Sequence, residues 1–109
     1  MAGIGQGNPE FASGKVKLLR VTYTGDGWGA GNDELRTEVI VQLDGFGGAQ
    51  GVNAVGFDLH VGDKELPNRL GMLSVLRDAY IHDLTVGIMY WLEPGKHNGY
   101  LARLEISRP

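Results

Sequence analysis

LPNRLGMLSVLRDAYIHDLTVGIMYWL, residues 66–92, changes its hydrophobic period once, and that change decides the fold. Leu66, Leu70, Leu73, Leu76 and Tyr80 recur every three or four positions, as one face of a helix requires. After His82-Asp83 the period drops to two: Val86, Ile88, Tyr90 and Leu92 alternate with Thr85, Gly87, Met89 and Trp91. The spacing predicts a helix over Asn68–His82, with His82 as its end cap, and a strand over Thr85–Leu92. Pro67 fits only the first helical turn, where its missing N–H costs nothing. Gly71 and Ser74 lower the helix propensity, so packing must hold this helix together.

Working outward, Leu35–Asp44 alternates cleanly: Leu35, Thr37, Val39, Val41 and Leu43 against Arg36, Glu38, Ile40, Gln42 and Asp44. Val52–Val61 reads the same way, with Val55, Phe57, Leu59 and Val61 inward and Ala54, Gly56, Asp58 and His60 outward. Gly99–Ser107 is the last strand, with Tyr100, Ala102, Leu104 and Ile106 inward. The first strand, Lys15–Thr24, changes phase: Val16 and Leu18 share one parity, Leu19, Val21 and Tyr23 the other. A β-bulge or a sharp bend produces such a change, as at the corner of a closed barrel, and is preferred to the alternative, a strand buried on both faces for part of its length. The glycine-rich runs Gly25–Glu34 and Gly45–Gly51 and the Pro94-Gly95 and Asn98-Gly99 pairs separate the strands.

The resulting order, β-β-β-α-β-β, is that of a five-stranded OB-like Greek-key barrel, mainly β with one helix. The alternative is an open α+β sheet with the helix packed across one face. A chain of 109 residues supports one domain, expected over residues 15–109. Residues 1–14, MAGIGQGNPEFASG, are expected to lie outside it, as a cloning remnant or a disordered head: Glu10-Phe11 is the pair a common cloning site encodes. No basic segment followed by an apolar stretch marks this head as a signal peptide.

Charge and composition exclude several functions. A net charge of -3 speaks against non-specific nucleic-acid binding, which runs on phosphate neutralisation. The absence of cysteine removes a disulfide framework and thiolate metal sites, and suits a reducing or an oxidising compartment alike. No apolar run reaches the ~20 residues of a membrane span. Gly25-Asp26-Gly27-Trp28-Gly29-Ala30 formally matches a dinucleotide fingerprint, but that motif needs a helix next and a strand follows. Asp26, Asn32, Asp33 and Glu34 form a loose oxygen cluster without the twelve-residue calcium-loop pattern. No metal, cofactor or catalytic residue is therefore expected. Asp58 and His60, two apart on one strand face, would be half of a catalytic triad or a metal's outer shell; a solvated pair is the simpler reading.

The segment Leu73-Ser74-Val75-Leu76-Arg77-Asp78-Ala79-Tyr80, followed by Thr85-Val86-Gly87-Ile88, resembles the B subunits of the pertussis, subtilase and typhoid-type bacterial toxins. The resemblance covers roughly the last 40 residues and is one of pattern. It implies a ring-forming, usually pentameric subunit that binds host glycans and has no catalysis. Those subunits are generally disulfide-bonded, unlike this chain, and none of their sugar-contacting residues is carried over.

Two sets of residues are candidates for binding. Trp28, with Asp26, Asn32 and Asp33, sits in the first glycine loop, where it either plugs a barrel mouth or stacks on a ligand. Met89, Trp91, Leu101, Arg103 and Ile40 fall on outer parities. There they would form a subunit interface, packing beneath the helix or head, or a flat stacking platform. The expected function is a homo-oligomeric glycan-binding module. A structural or assembly protein of phage or mobile-element origin is the alternative, with an OB-type nucleic-acid binder ranked lower and an enzyme last.

Overall fold

The computed structural model describes residues 8–23, 27–29, 34–46 and 52–107. Among these residues, five strands and one helix run in the order β1 (Asn8–Val21), β2 (Val39–Leu43), β3 (Ala54–Phe57), α1 (Leu66–His82), β4 (Thr85–Leu92) and β5 (Asn98–Ile106). The strands close into a barrel in the order β1-β2-β3-β5-β4, with only β3 and β5 parallel. This is the OB-like arrangement rather than the open sheet. No helix among the described residues is long and apolar enough to cross a membrane.

Closure depends on β1, which is shared between two neighbours. Asn8–Lys15 pairs with β4, and Val16–Val21 pairs with β2, with a register shift between Val16 and Leu18. The bulge is the expected phase change. Val16 joins the main core before it, and Leu19 packs there after it, while Leu18 turns to the outside of the wall. Asn8–Gly14, expected outside the domain, is strand; eight backbone pairs between Asn8–Lys15 and β4 order it. The strand stops at Val21, leaving Val21 53% and Tyr23 78% exposed, so neither is core.

Inside the barrel, Val39, Val41, Leu43, Val55, Phe57, Val86, Ile88, Tyr90 and Leu101 pack with Leu76 and Ala79 of α1. Each such aliphatic side chain contributes roughly 1.5–3 kcal/mol by leaving water. Phe46 meets Tyr90 edge to face, with ring centroids 6.1 Å apart. The Tyr90 hydroxyl is buried without a hydrogen-bond partner among the described residues, and burial raises its pKa. Helix α1 faces the barrel with a different stripe from the one its leucine spacing predicts. Met72, Leu73, Leu76 and Ala79 look inward, whereas Leu70 and Tyr80 are half exposed. Apolar residues ring the helix, so spacing alone does not single out the buried stripe. Its C-cap is Asp83, not His82: Asp83 adopts φ 57°, and the Leu84 N–H donates to the Ala79 carbonyl at 2.9 Å. The Asp83 carboxylate also accepts from Lys15 Nζ at 2.9 Å, which raises the lysine pKa.

A second, smaller core lies on the outside of the wall. Leu35, Ile40 and Ala54 are buried there, with Leu18, Trp28 and Tyr100 packed against them. It exists because the chain ahead of β2 folds back over the sheet, where Trp28 and Leu35 exchange backbone hydrogen bonds at 2.8 Å. Leu35 therefore belongs to this outer core rather than the barrel interior, and Ile40 is fully buried rather than exposed, both against expectation. Strand β3 ends at Phe57, so Val61, expected inward, is 96% exposed. In β5 a second register shift skips Ala102: Met89 pairs with Arg103, and Tyr90 with Leu101. That bulge puts Leu101 in the main core and Tyr100 outside, reversing both expectations, while Ile106 is 43% exposed.

Candidate functional site

The outer face of β1, β4 and β5 is laid out by register. Phe11, Met89 and Arg103 form one row across the three strands, and Ser13, Gly87 and Glu105 the next. Pro9 and Trp91 continue the face toward the end of β4. Where Gly87 lacks a side chain the wall is hollow. A groove of about 370 Å³ opens there, lined by Phe11, Ala12, Ser13, Gly87, Ile88, Arg103 and Glu105. A Cβ on Gly87 would sit 3.5 Å from Glu105 Cγ, an ordinary contact, so glycine is not required by packing. Phe11 is 62% exposed beside the groove. An aromatic face, a hydroxyl and two side chains of opposite charge thus share one shallow trough, a combination suited to a ligand with both apolar and hydroxylated edges.

Of the outer residues expected from alternation, Met89, Trp91 and Arg103 lie on this face, Met89 and Trp91 half-buried and Arg103 exposed. Trp91 Nε1 is buried with no hydrogen-bond partner among the described residues. Leu101 and Ile40 do not belong to the face, because the β5 bulge turns Leu101 inward and the outer core covers Ile40. Trp28 neither plugs a barrel mouth nor stands free. It lies half-buried on the outer core, with the Arg20 guanidinium 5.3 Å from its ring centroid and Arg20 Nη2 donating to the Gly27 carbonyl at 3.0 Å. Asp26, Asn32 and Asp33 lie outside the described residues. Sequence reasoning misses Phe11 and Ser13 because they stand in a head whose composition places it outside the domain. Gly87 and Glu105 become visible only once the strands are paired.

A second group of side chains gathers where β2 begins and β3 ends. Val39 pairs with Phe57, so the chain just beyond brings Glu38 across from Asp58 and His60. Glu38, Asp58 and His60 each offer one atom within 4.8 Å of the others. Glu38 Oε1 accepts the Leu59 N–H at 2.7 Å and lies 3.2 Å from His60 Nε2. Its Oε2 is buried with no partner among the described residues. Burial pushes the Asp58 pKa up; the Glu38 charge adds to this, while His60 and Arg69 oppose it. Beside the group, Asp63 accepts from the Glu65 N–H at 2.8 Å and pairs with Arg69. The Glu65 N–H, and after it Arg69, holds the Asp63 pKa below the usual carboxylate range against the opposing effect of burial.

No family model, curated protein or solved structure matches the chain. Its function has to be read from the side chains of the groove and of the Glu38 group.

Proposed function

We propose that the chain is a non-catalytic binding module that holds a carbohydrate in the groove across β1, β4 and β5 and works as a homo-oligomer. The groove at Gly87 carries this reading: Phe11 offers a flat face to sugar C–H groups, and Ser13, Arg103 and Glu105 offer hydroxyl-binding donors and acceptors. The pattern resemblance to toxin B subunits points the same way. The opposite wall is less suited, because Trp28 and Leu35 already cover the β2–β3 face on which OB folds commonly bind oligonucleotides and oligosaccharides. With the net charge of -3, that covering also ranks nucleic acid low.

Self-association is supported by apolar surface elsewhere. Tyr80, Ile81, Leu84 and Ile106 are exposed, and Leu84 and Ile106 border a recess of about 490 Å³ with Thr85 and Ser107. The same surface favours the second reading, an assembly protein in which the barrel serves only to oligomerise.

A glycan array with the purified chain tests the proposal. Saturable binding is expected, and Phe11→Ala and Arg103→Ala should each weaken it by about tenfold, or about 1.4 kcal/mol. Melting temperature should hold, since surface changes usually stay within about 0.5 kcal/mol. An oligomeric mass by light scattering with no glycan bound on a broad array would reject the carbohydrate reading in favour of assembly.

A further inference from the structure

We propose that Glu38, Asp58 and His60 form a binding site for a divalent transition-metal cation, Zn²⁺ or a close neighbour in the first row. The Glu38 carboxylate anchors it, with a side chain only 5% exposed. A charge taken that far out of water needs compensation on both oxygens. One oxygen has the Leu59 N–H and the His60 imidazole; the other, Oε2, has no partner among the described residues. Asp58 stands alongside and adds a second negative charge.

A protonated His60 would offset only one of the two acids and leave the buried Oε2 unsatisfied. A dication offsets both, and takes the imidazole as a neutral nitrogen ligand. Arg69 does not fill the role, because Asp63 already engages it. The sizes agree as well. The three donor atoms lie within 4.8 Å of one another, and a first-row ion bound at about 2.0–2.2 Å draws such atoms closer by side-chain rotation. His60 is 45% exposed and has room to turn. One nitrogen with two carboxylate oxygens suits Zn²⁺, Co²⁺ or Mn²⁺ better than Ca²⁺, which takes six to eight oxygens. Three protein ligands leave at least one position to water on the solvent side.

Such an ion would join the segment leading into β2 to the segment leaving β3. Neither segment is held there by a regular ladder, since β2 begins at Val39 and β3 ends at Phe57. The site is independent of the groove at Gly87, and each proposal stands or falls without the other.

Titration calorimetry of the EDTA-stripped chain with Zn²⁺ alone is the test. One equivalent should bind, with a rise in melting temperature, and Mg²⁺ should produce neither. His60→Ala and Asp58→Asn should each weaken binding at least ~10-fold, the loss that even outer-shell changes cause at metal sites. His82→Ala and His97→Ala should bind as the parent does. Glu38→Gln keeps the Leu59 acceptor but loses the charge, and should bind no Zn²⁺ while remaining folded by circular dichroism. Absence of Zn²⁺ binding to the folded parent chain overturns the proposal, as does binding that survives both His60→Ala and Asp58→Asn.

Discussion

Replacing Gly56 with alanine adds one methyl group at the tightest point of the wall. Its Cβ would fall on Thr37 Oγ1 and 2.5 Å from the Val39 carbonyl oxygen. Thr37 is 2% exposed, and its hydroxyl donates to that same carbonyl at 2.9 Å. Overpacking of this kind costs about 1–3 kcal/mol. Losing the Thr37 hydrogen bond adds about 0.5–1.5 kcal/mol. The reduced freedom of the unfolded chain returns about 0.4–1 kcal/mol. The net loss is about 0.5–4 kcal/mol, and at about 4–8 °C per kcal/mol for a domain of this size the melting temperature falls by about 2–30 °C. Thermal and urea denaturation followed by circular dichroism measure it, with Gly87→Ala as the internal control. Gly87 has only an ordinary contact ahead of it, so that variant should match or exceed the parent. Thr37→Ala should couple to Gly56→Ala in a double-mutant cycle, with partial relief because the carbonyl remains. Equal melting temperatures for Gly56→Ala and Gly87→Ala would refute the reasoning.

The outer core and the acidic side chains give two further outcomes. Trp28→Ala uncovers Leu35, Ile40 and Ala54; half the usual loss for a buried tryptophan, about 2 kcal/mol, is expected, with new binding of a hydrophobic dye. Unchanged dye binding and stability would mean that Trp28 does not cover that core. In EDTA, Asp63→Asn and Asp58→Asn should shift stability in opposite directions. The lowered pKa of Asp63 gives stability that is present above the unfolded carboxylate value and lost as pH falls through the folded one, so Asp63→Asn is less stable at pH near 7 and approaches the parent in acid. The raised pKa of Asp58 gives stability at low pH that is lost as pH rises through the folded value, so Asp58→Asn is the more stable at neutral pH. Melting curves across the acid range read both signs, and a common sign would contradict the local electrostatics.

The change of period at residues 82–85 makes the order of elements legible, because a helix and a strand impose different spacings on the same apolar residues. The bulge in β1 is legible too, since its apolar residues switch parity. The bulge at Ala102 is not: Tyr100, Leu101, Ala102 and Leu104 offer apolar side chains on both parities, so either face satisfies the pattern. Ile40 misleads for a related reason. Alternation assigns a residue to a side of the sheet, and says nothing of whether another part of the chain covers that side. The Asp58–His60 pair is visible two residues apart in the sequence, but Glu38 lies far off and is brought in only by the pairing of Val39 with Phe57. Phe11 is lost with the head, whose composition gives little sign of the eight backbone pairs that Asn8–Lys15 makes with β4.

Those eight pairs make β1 the latch of the ring. A chain cut after Gly14 leaves most of β4 as an open edge, and Thr85–Leu92 contains neither a charge nor a proline to discourage a newcomer. The simplest newcomer is the first arm of another copy, which can occupy the vacant lane with every native pair preserved. The bulge between Val16 and Leu18 is then a natural elbow for exchange, and the same arm that closes one barrel would stitch two together.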